Sequence, residues 1–238
     1  MHRLALLALL AGGCSKSDSG DILTSGMYGS VTARAEGNGK TRVTTTLYLG
    51  NPINLNFIEL SDDDKLRVRH GSEEKTPTEG ELLNIVSYTA SFDVEAEGEE
   101  FEVSFLRTVD AGAPSSIATL PAPFSLTGDT SSTRSVSRAT KFDVGWSPAG
   151  SGDVMHAVVD GTCIEPLDLM LTGDTGNASI PAGMIKKRTA QQGETIPDSC
   201  SAELRIERQR TGELDSHFGK GGMVLGVQSR KQSFTTAP

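Results

Sequence analysis

The sequence lacks long apolar runs and has few aromatic or basic residues. Aromatic residues make up 5% of the 238 residues and hydrophobic residues 36%. A multi-span membrane protein needs repeated apolar stretches of about 20 residues, which this composition does not supply. Acidic residues outnumber basic ones by 31 to 22, a formal charge of −9. That sign argues against nucleic acid as a partner, because such binding depends on neutralising phosphates.

Helix patterns are also missing, since no stretch of a dozen residues carries an apolar stripe with the 3.6-residue period. Apolar and polar residues instead alternate with period two, which is typical of antiparallel strands with one buried face. The clearest alternating segments are residues 86–94, 101–105, 142–146 and 204–206. Glycine-containing segments at 36–39, 96–99 and 149–152 predict hairpin turns between such strands.

These patterns predict an all-β protein of two antiparallel β-sandwich domains. The first domain covers residues 26–110 and is acidic, with 15 acidic and 5 basic residues between Glu59 and Asp110. The second covers residues 117–238. The small residues and the proline of segment 110–116 predict a linker between the two.

The first fourteen residues read as an export signal. Arg3 gives a basic start, residues 4–11 are apolar, and small residues precede Cys14. Leu10-Ala11-Gly12-Gly13-Cys14 resembles the lipobox of a bacterial lipoprotein signal. The resemblance implies removal of residues 1–13, acylation of Cys14 and a membrane partner through that lipid.

The resemblance also implies a location. Ser15 follows the cysteine in place of the aspartate that favours inner-membrane retention, so it implies a lipid-anchored outer-membrane protein of the cell envelope. Residues 14–25 are small and polar, and they predict a flexible, lipidated tether. An ordinary cleaved signal with a chance cysteine is the alternative.

Two cysteines remain beyond the signal, Cys163 and Cys200. In an oxidising compartment such a pair predicts a disulfide, and closing this loop contributes about 3–4 kcal/mol. Zinc binding is the alternative, weakened by the lack of histidines at ligand spacing. The second half resembles immunoglobulin-like or fibronectin-type sandwiches through the alternating strand around Trp146 and the cysteine pair. Trp146 precedes both cysteines, whereas the immunoglobulin pattern places it between them.

Catalytic motifs are sparse. His70, His156 and His217 are widely separated, and neither a G-x-S-x-G elbow nor a P-loop occurs. The sequence therefore predicts no enzyme and no cofactor. A hydrolase acting on envelope or extracellular polymer, with His156 or His217 as the base, is kept as an alternative.

Two charged clusters supply the remaining binding candidates. Asp62, Asp63 and Asp64 form the densest carboxylate run and are weak candidates for calcium, which takes six to eight oxygens. An anion contact is a second alternative, and its residues would be Arg208, Arg210 and Arg230.

The leading hypothesis is a lipid-anchored, non-enzymatic binding or structural module whose partner is an envelope protein or polymer. A hydrolase and a calcium-dependent ligand-binding module are the alternatives.

Overall fold

The computed structural model describes residues 16–49, 56–61 and 63–238, and within them the fold is built from strands. The only helical elements there are two 3-10 turns, Ser19–Asp21 and Thr24–Gly26. In this described part, no helix has the length and apolar character to cross a membrane. The strands are β1 (Lys16–Asp18), β2 (Tyr28–Ala35), β3 (Thr41–Leu49), β4 (Asn56–Glu59), β5 (Lys65–His70), β6 (Glu73–Lys75), β7 (Thr78–Leu82), β8 (Ile85–Phe92), β9 (Glu100–Leu106), β10 (Ala113–Thr119), β11 (Ser125–Thr127), β12 (Ser135–Ser137), β13 (Phe142–Ser147), β14 (Val154–Gly161), β15 (Leu167–Met170), β16 (Asn177–Ile180), β17 (Cys200–Thr211) and β18 (Met223–Ala237).

The described strands form three sheets, and the prediction of an all-β sandwich is confirmed. The large sheet runs β1-β4-β3-β2-β18-β17-β14-β15, with β8 and β7 extending from β3 and β12 beside β18. The sheet β10-β9-β5-β6 packs on its first half and the sheet β11-β13-β16 on its second. Two apolar cores fill the spaces between. The first core includes Val31, Val43, Leu47, Val68, Phe101 and Phe105. The second includes Phe142, Trp146, Met155, Leu204, Ile206 and Phe234.

Strand β18 belongs to both halves. Its first part pairs in parallel with β2, from Met223 opposite Ser30 to Gln228 opposite Ala35. Its last part pairs with β12, and its residues from Leu225 to Thr236 pair with β17. The two cores therefore share one continuous sheet. Period-two alternation identifies a strand but carries no information about which distant strand it pairs with.

The predicted linker at 110–116 lies inside the first half. Strand β10 pairs with β9, and Leu120 is buried in the first core, whereas Phe124 belongs to the second. The chain therefore passes between the cores at residues 121–123. The small residues serve close packing here, because a Cβ added at Gly112 would lie 2.5 Å from the Phe105 carbonyl oxygen.

One of the three predicted hairpins is confirmed. Residues 36–39 join the paired strands β2 and β3. Residues 96–99 and 149–152 join strands of different sheets, so the hairpin prediction is wrong for both. A chain crossing between sheets needs the same reversal as a hairpin, and Gly98 and Gly150 have φ values of 81° and 84°.

The segment predicted as a flexible tether is folded from Lys16 onward. Strand β1 pairs in parallel with β4, and Ser19 and Thr24 are buried. Cys14 lies outside the described residues. The sequence of this segment predicts mobility because its residues are small and polar. The residues that hold it in place, Asp64 and Arg107, are distant in sequence and leave no local pattern.

Arg107 is the main partner of this N-terminal segment. Its side chain is fully buried, as is that of Asp64. The guanidinium donates to Asp64 Oδ2 over 3.1 Å and to the carbonyl oxygens of Ile22 (2.8 Å) and Ser19 (2.6 Å). One planar cation on the segment after β9 thus binds both the N-terminal segment and the residue before β5. These bonds hold the start of the chain against the first core.

The predicted disulfide is confirmed. Cys163 and Cys200 are bonded, with their Cα atoms 5.8 Å apart. The bond joins the loop after β14 to the beginning of β17, and Cys163 is fully buried.

Replacing Arg107 with methionine is expected to lower the free energy of unfolding by about 3–5 kcal/mol, because the change leaves Asp64 buried without its counterion. Urea denaturation followed by circular dichroism measures the effect. Arg69→Met is the matched control, since Arg69 pairs with Glu102 at the surface and should cost about 1 kcal/mol or less. Equal losses in the two variants would contradict the role assigned to Arg107.

Candidate binding face

The three described histidines lie in three different places, at the end of β5, in β14 and in the loop before β18. In each of them, one ring nitrogen contacts a carboxylate. The pairs are His70–Glu99 at 2.6 Å, His156–Asp168 at 3.1 Å and His217–Asp215 at 2.7 Å. His156 and His217 thus each have the carboxylate neighbour that the hydrolase alternative predicts, but among the described residues neither ring is hydrogen-bonded to a serine or threonine hydroxyl that could act as a nucleophile.

The aspartate run does not form a metal site in the described part of the chain. Asp62 lies outside the described residues and Asp63 is exposed. Asp64 points inward, where it accepts hydrogen bonds from Arg107 and from Ser19 Oγ at 2.7 Å. A buried arginine beside this carboxylate opposes a second cation. No group of three metal-binding side chains occurs among the described residues.

Arg208 is committed to internal contacts, which corrects its prediction as an anion contact. Its side chain is fully buried, and Nη2 lies 2.8 Å from Asp174 Oδ2. It also donates to the carbonyl oxygens of Ala122 (2.6 Å) and Pro148 (2.7 Å). Arg208 therefore fastens the crossing between the two cores to the second half.

Arg210 and Arg230 have similar structural roles. Arg210 pairs with Asp153 through two hydrogen bonds of 2.9 and 3.0 Å. Arg230 lies 5.5 Å from the Phe124 ring and donates to the carbonyl oxygen of Ser229. Burial lowers the pKa of Arg230 below its ordinary value. The three arginines are brought together at the junction of the cores, where Arg208 and Arg210 are each paired with a carboxylate of the protein itself.

A polar surface lies on the outer face of β2 and β3. Because Val31, Ala33, Val43 and Leu47 point into the first core, the residues that alternate with them along each strand point outward. Directly opposed across the two strands are Tyr28 and Tyr48, Ser30 and Thr46, Thr32 and Thr44, and Arg34 and Arg42. Strand β8 adds Thr89 beside Thr44. We call Ser30, Thr32, Thr44, Thr46 and Thr89 the hydroxyl face.

A shallow groove of about 330 Å³ lies over this face, lined by Ser30, Thr32, Thr44, Thr46 and the two arginines. Tyr28 and Tyr48 stand at one end, stacked with their ring centroids 5.6 Å apart. The groove thus ends at guanidinium groups on one side, and the tyrosine pair is the next opposed pair of the ladder beyond its other side.

The two arginines at the groove differ in their partners. Arg34 Nη1 lies 2.6 Å from Glu207 Oε1, and Glu207 also accepts a hydrogen bond from Arg205. Burial raises the pKa of Glu207, but the bonds and charges of Arg34 and its neighbours outweigh burial and lower it overall. Arg42 is exposed and takes part in none of the ion pairs among the described residues. A guanidinium without a counterion therefore faces the groove.

The hydroxyl face was not predicted from the sequence. The only sequence signal for it is the run Thr41-Arg42-Val43-Thr44-Thr45-Thr46-Leu47, in which polar residues dominate. Thr41 and Thr45 of this run are buried, whereas Thr44 and Thr46 point outward. Side-chain type alone does not distinguish the two faces of such a strand.

No protein-family model matches the sequence, and no curated protein matches it. Solved structures that match include the FN1–FN3 domains of chicken CNTN1 (10% identity, 89% of this chain and 67% of that chain, TM-score 0.26). Tandem immunoglobulin domains of titin also match (7%, 88% and 98%, TM-score 0.25). So does the Bacteroides ovatus glucan-utilisation protein SGBP-B (8%, 94% and 65%, TM-score 0.22). The class, an all-β protein of packed sheets, is established by the sheets themselves.

Asp174 organises the second half around Arg208. Burial raises the pKa of Asp174, but hydrogen bonds from Ser151 and Trp146 and the charge of Arg208 outweigh burial. Together they lower the pKa from 3.8 to about 2. The carboxylate therefore stabilises the fold above pH 3.8, and this contribution is lost as the pH falls through about 2.

Asp174→Asn is expected to be less stable than the native protein at pH 7, because Arg208 loses its counterion. The difference in unfolding free energy should shrink by about 2 kcal/mol as the pH falls from about 5 to about 2, where the native carboxyl becomes neutral too. Denaturation at a series of pH values measures this. A difference that stays constant with pH would contradict the assignment.

Proposed function

We propose that this protein is a lipid-anchored, non-enzymatic module of the bacterial envelope that binds a glycan along its hydroxyl face. The observation that carries the proposal is the row of opposed hydroxyl pairs between a stacked tyrosine pair and an unpaired arginine. This is a specific form of the binding function expected from the sequence.

The chemistry of the face suits a polyhydroxylated ligand. Each serine or threonine hydroxyl donates one hydrogen bond and accepts others, as a sugar hydroxyl does. Tyrosine rings supply an apolar surface with a polar tip, which suits the faces of a sugar ring. The positions are held by the β2–β3 ladder, so little order has to be created on binding.

Arg42 adds a preference for acidic groups. A guanidinium binds a carboxylate or sulfate through two parallel hydrogen bonds, and Arg42 takes part in no ion pair among the described residues. The glycan favoured by this geometry therefore carries an acidic group. The lining of the groove contains neither a histidine nor a carboxylate, so it supports binding rather than hydrolysis.

The lipid anchor rests on the sequence, where Cys14 follows the small residues of the lipobox-like segment. Two or more acyl chains hold a protein firmly at a membrane, whereas one does not.

Thr32→Val combined with Thr44→Val is expected to weaken glycan binding about tenfold, since each lost hydroxyl removes roughly 0.5–1.5 kcal/mol. Isothermal titration calorimetry against uronate-containing and neutral polysaccharides measures the affinity. Thr235→Val is the matched control, because Thr235 is exposed on β18 in the other half.

Arg42→Gln should weaken binding of the uronate polymers while leaving any binding of neutral polymers unchanged. The proposal fails if the native protein retains no polysaccharide, or if the double valine variant binds as tightly as the native protein.

Intact-mass measurement of the protein from its native host is expected to show loss of residues 1–13 and acylation at Cys14. Cys14→Ser should abolish the acyl mass and release the protein from washed membranes. A native protein that carries an unmodified Cys14 would contradict the anchor.

A further inference from the structure

The hairpin between β7 and β8 exposes apolar side chains at a strained turn. Leu83 and Asn84 form its two-residue turn with φ values of 52° and 64°. Such a turn favours asparagine or glycine at both positions, and a leucine there is sterically disfavoured. Leu82 is 73% exposed, Leu83 83% and Ile85 42%.

These three side chains form the only described place where large apolar residues adjoin one another at a hairpin tip with this degree of exposure. Single exposed leucines are common at protein surfaces, but a cluster marks an interaction site. Strain in the same turn strengthens that inference, because the chain keeps a residue that the local conformation disfavours.

The tip lies beside the start of the folded chain. Lys16 Nζ is 2.9 Å from Glu81 Oε2, and Glu81 directly precedes Leu82. Cys14 is two positions before Lys16, and two residues extend at most about 7 Å. Acyl chains on Cys14 would therefore enter a membrane close to the hairpin tip.

The direction of the strands agrees with this arrangement. Strand β8 starts at the tip and reaches Thr44 of β3 through Thr89, so the tip lies toward the Tyr48 end of the hydroxyl face. Strand β18 runs parallel to β2 and continues past Ala35, beyond the opposite end. The second core therefore lies on the side away from the tip.

We propose that the tip formed by Leu82, Leu83 and Ile85 inserts into the same lipid surface as the acyl chains of Cys14. This inference rests on the lipid anchor of the proposed function. The tip then acts as a second membrane contact that orients the protein and holds the hydroxyl face upright. Glu79 and Glu81 flank the tip, so the occupant is a zwitterionic rather than an anionic lipid surface.

The direct test places a fluorescent probe at the tip of the full lipidated protein in phosphatidylcholine vesicles. Leu83→Cys supplies the attachment thiol, because Cys163 and Cys200 are bonded to each other and the proposed acylation occupies Cys14. Quenchers carried on the lipid acyl chains should quench this probe at least about twofold more than a probe at Asn38→Cys, in the β2–β3 hairpin. Equal quenching at both sites would overturn the inference.

A second measurement separates the hairpin from the anchor. Leu82→Ser with Leu83→Asn removes the apolar tip but places asparagine where the turn favours it, so the fold is retained. Transfer of the lipidated protein between vesicles should become about tenfold faster or more. Lys231→Asn is a control remote from the tip. Unchanged transfer, with acylation confirmed by mass, overturns the membrane contact and leaves the anchor intact, as expected if the tip instead binds a protein.

If mass measurement shows no acylation, the anchor fails, and flotation of the unlipidated protein with phosphatidylcholine vesicles decides the hairpin separately. Flotation that the double variant abolishes supports the tip as a lipid contact. Absence of flotation in the native protein overturns it.

Discussion

The pairing of β18 with β2 is the constraint on which the rest of the structure depends. Its parallel register sets Val227 beside Arg34 and, through β17, brings Glu207 to the same guanidinium. A shift of one residue would turn the inward side chains of β18 outward in both cores at once. The arginine junction and the direction of the second core both follow from this one register.

Buried arginines hold separate segments together in both halves. This role explains why the prediction of Arg208 as an anion contact, based on residue type alone, was wrong. A guanidinium has five donors in a rigid plane, so it can satisfy several carbonyl oxygens and one carboxylate together. Arg107 does this for the N-terminal segment and Arg208 for the crossing between the cores. Arg42 differs because its strand neighbours supply hydroxyls and a second arginine, which leaves its charge available to a ligand.

Local patterns predicted much of the fold. Alternation identified β8, β9, β13 and β17. The disulfide expected for two cysteines in an oxidising compartment is the observed bond between Cys163 and Cys200. Local patterns do not predict long-range contacts. The pairing of β18 with strands of both halves and the burial of Asp64 against Arg107 produce no periodic pattern in the sequence. The candidate site was missed for a related reason: Thr44 and Thr45 are chemically identical, and only the packing of Val43 and Leu47 decides which of them faces outward.

The central claim, that β18 makes one cooperative unit of two cores, is tested most directly by hydrogen exchange with mass spectrometry at increasing urea concentration. Peptides from β3 in the first half and β13 in the second should lose protection at the same urea concentration, with a single unfolding transition. Loss of protection in one half while the other stays protected would show that the halves fold independently and would contradict the account.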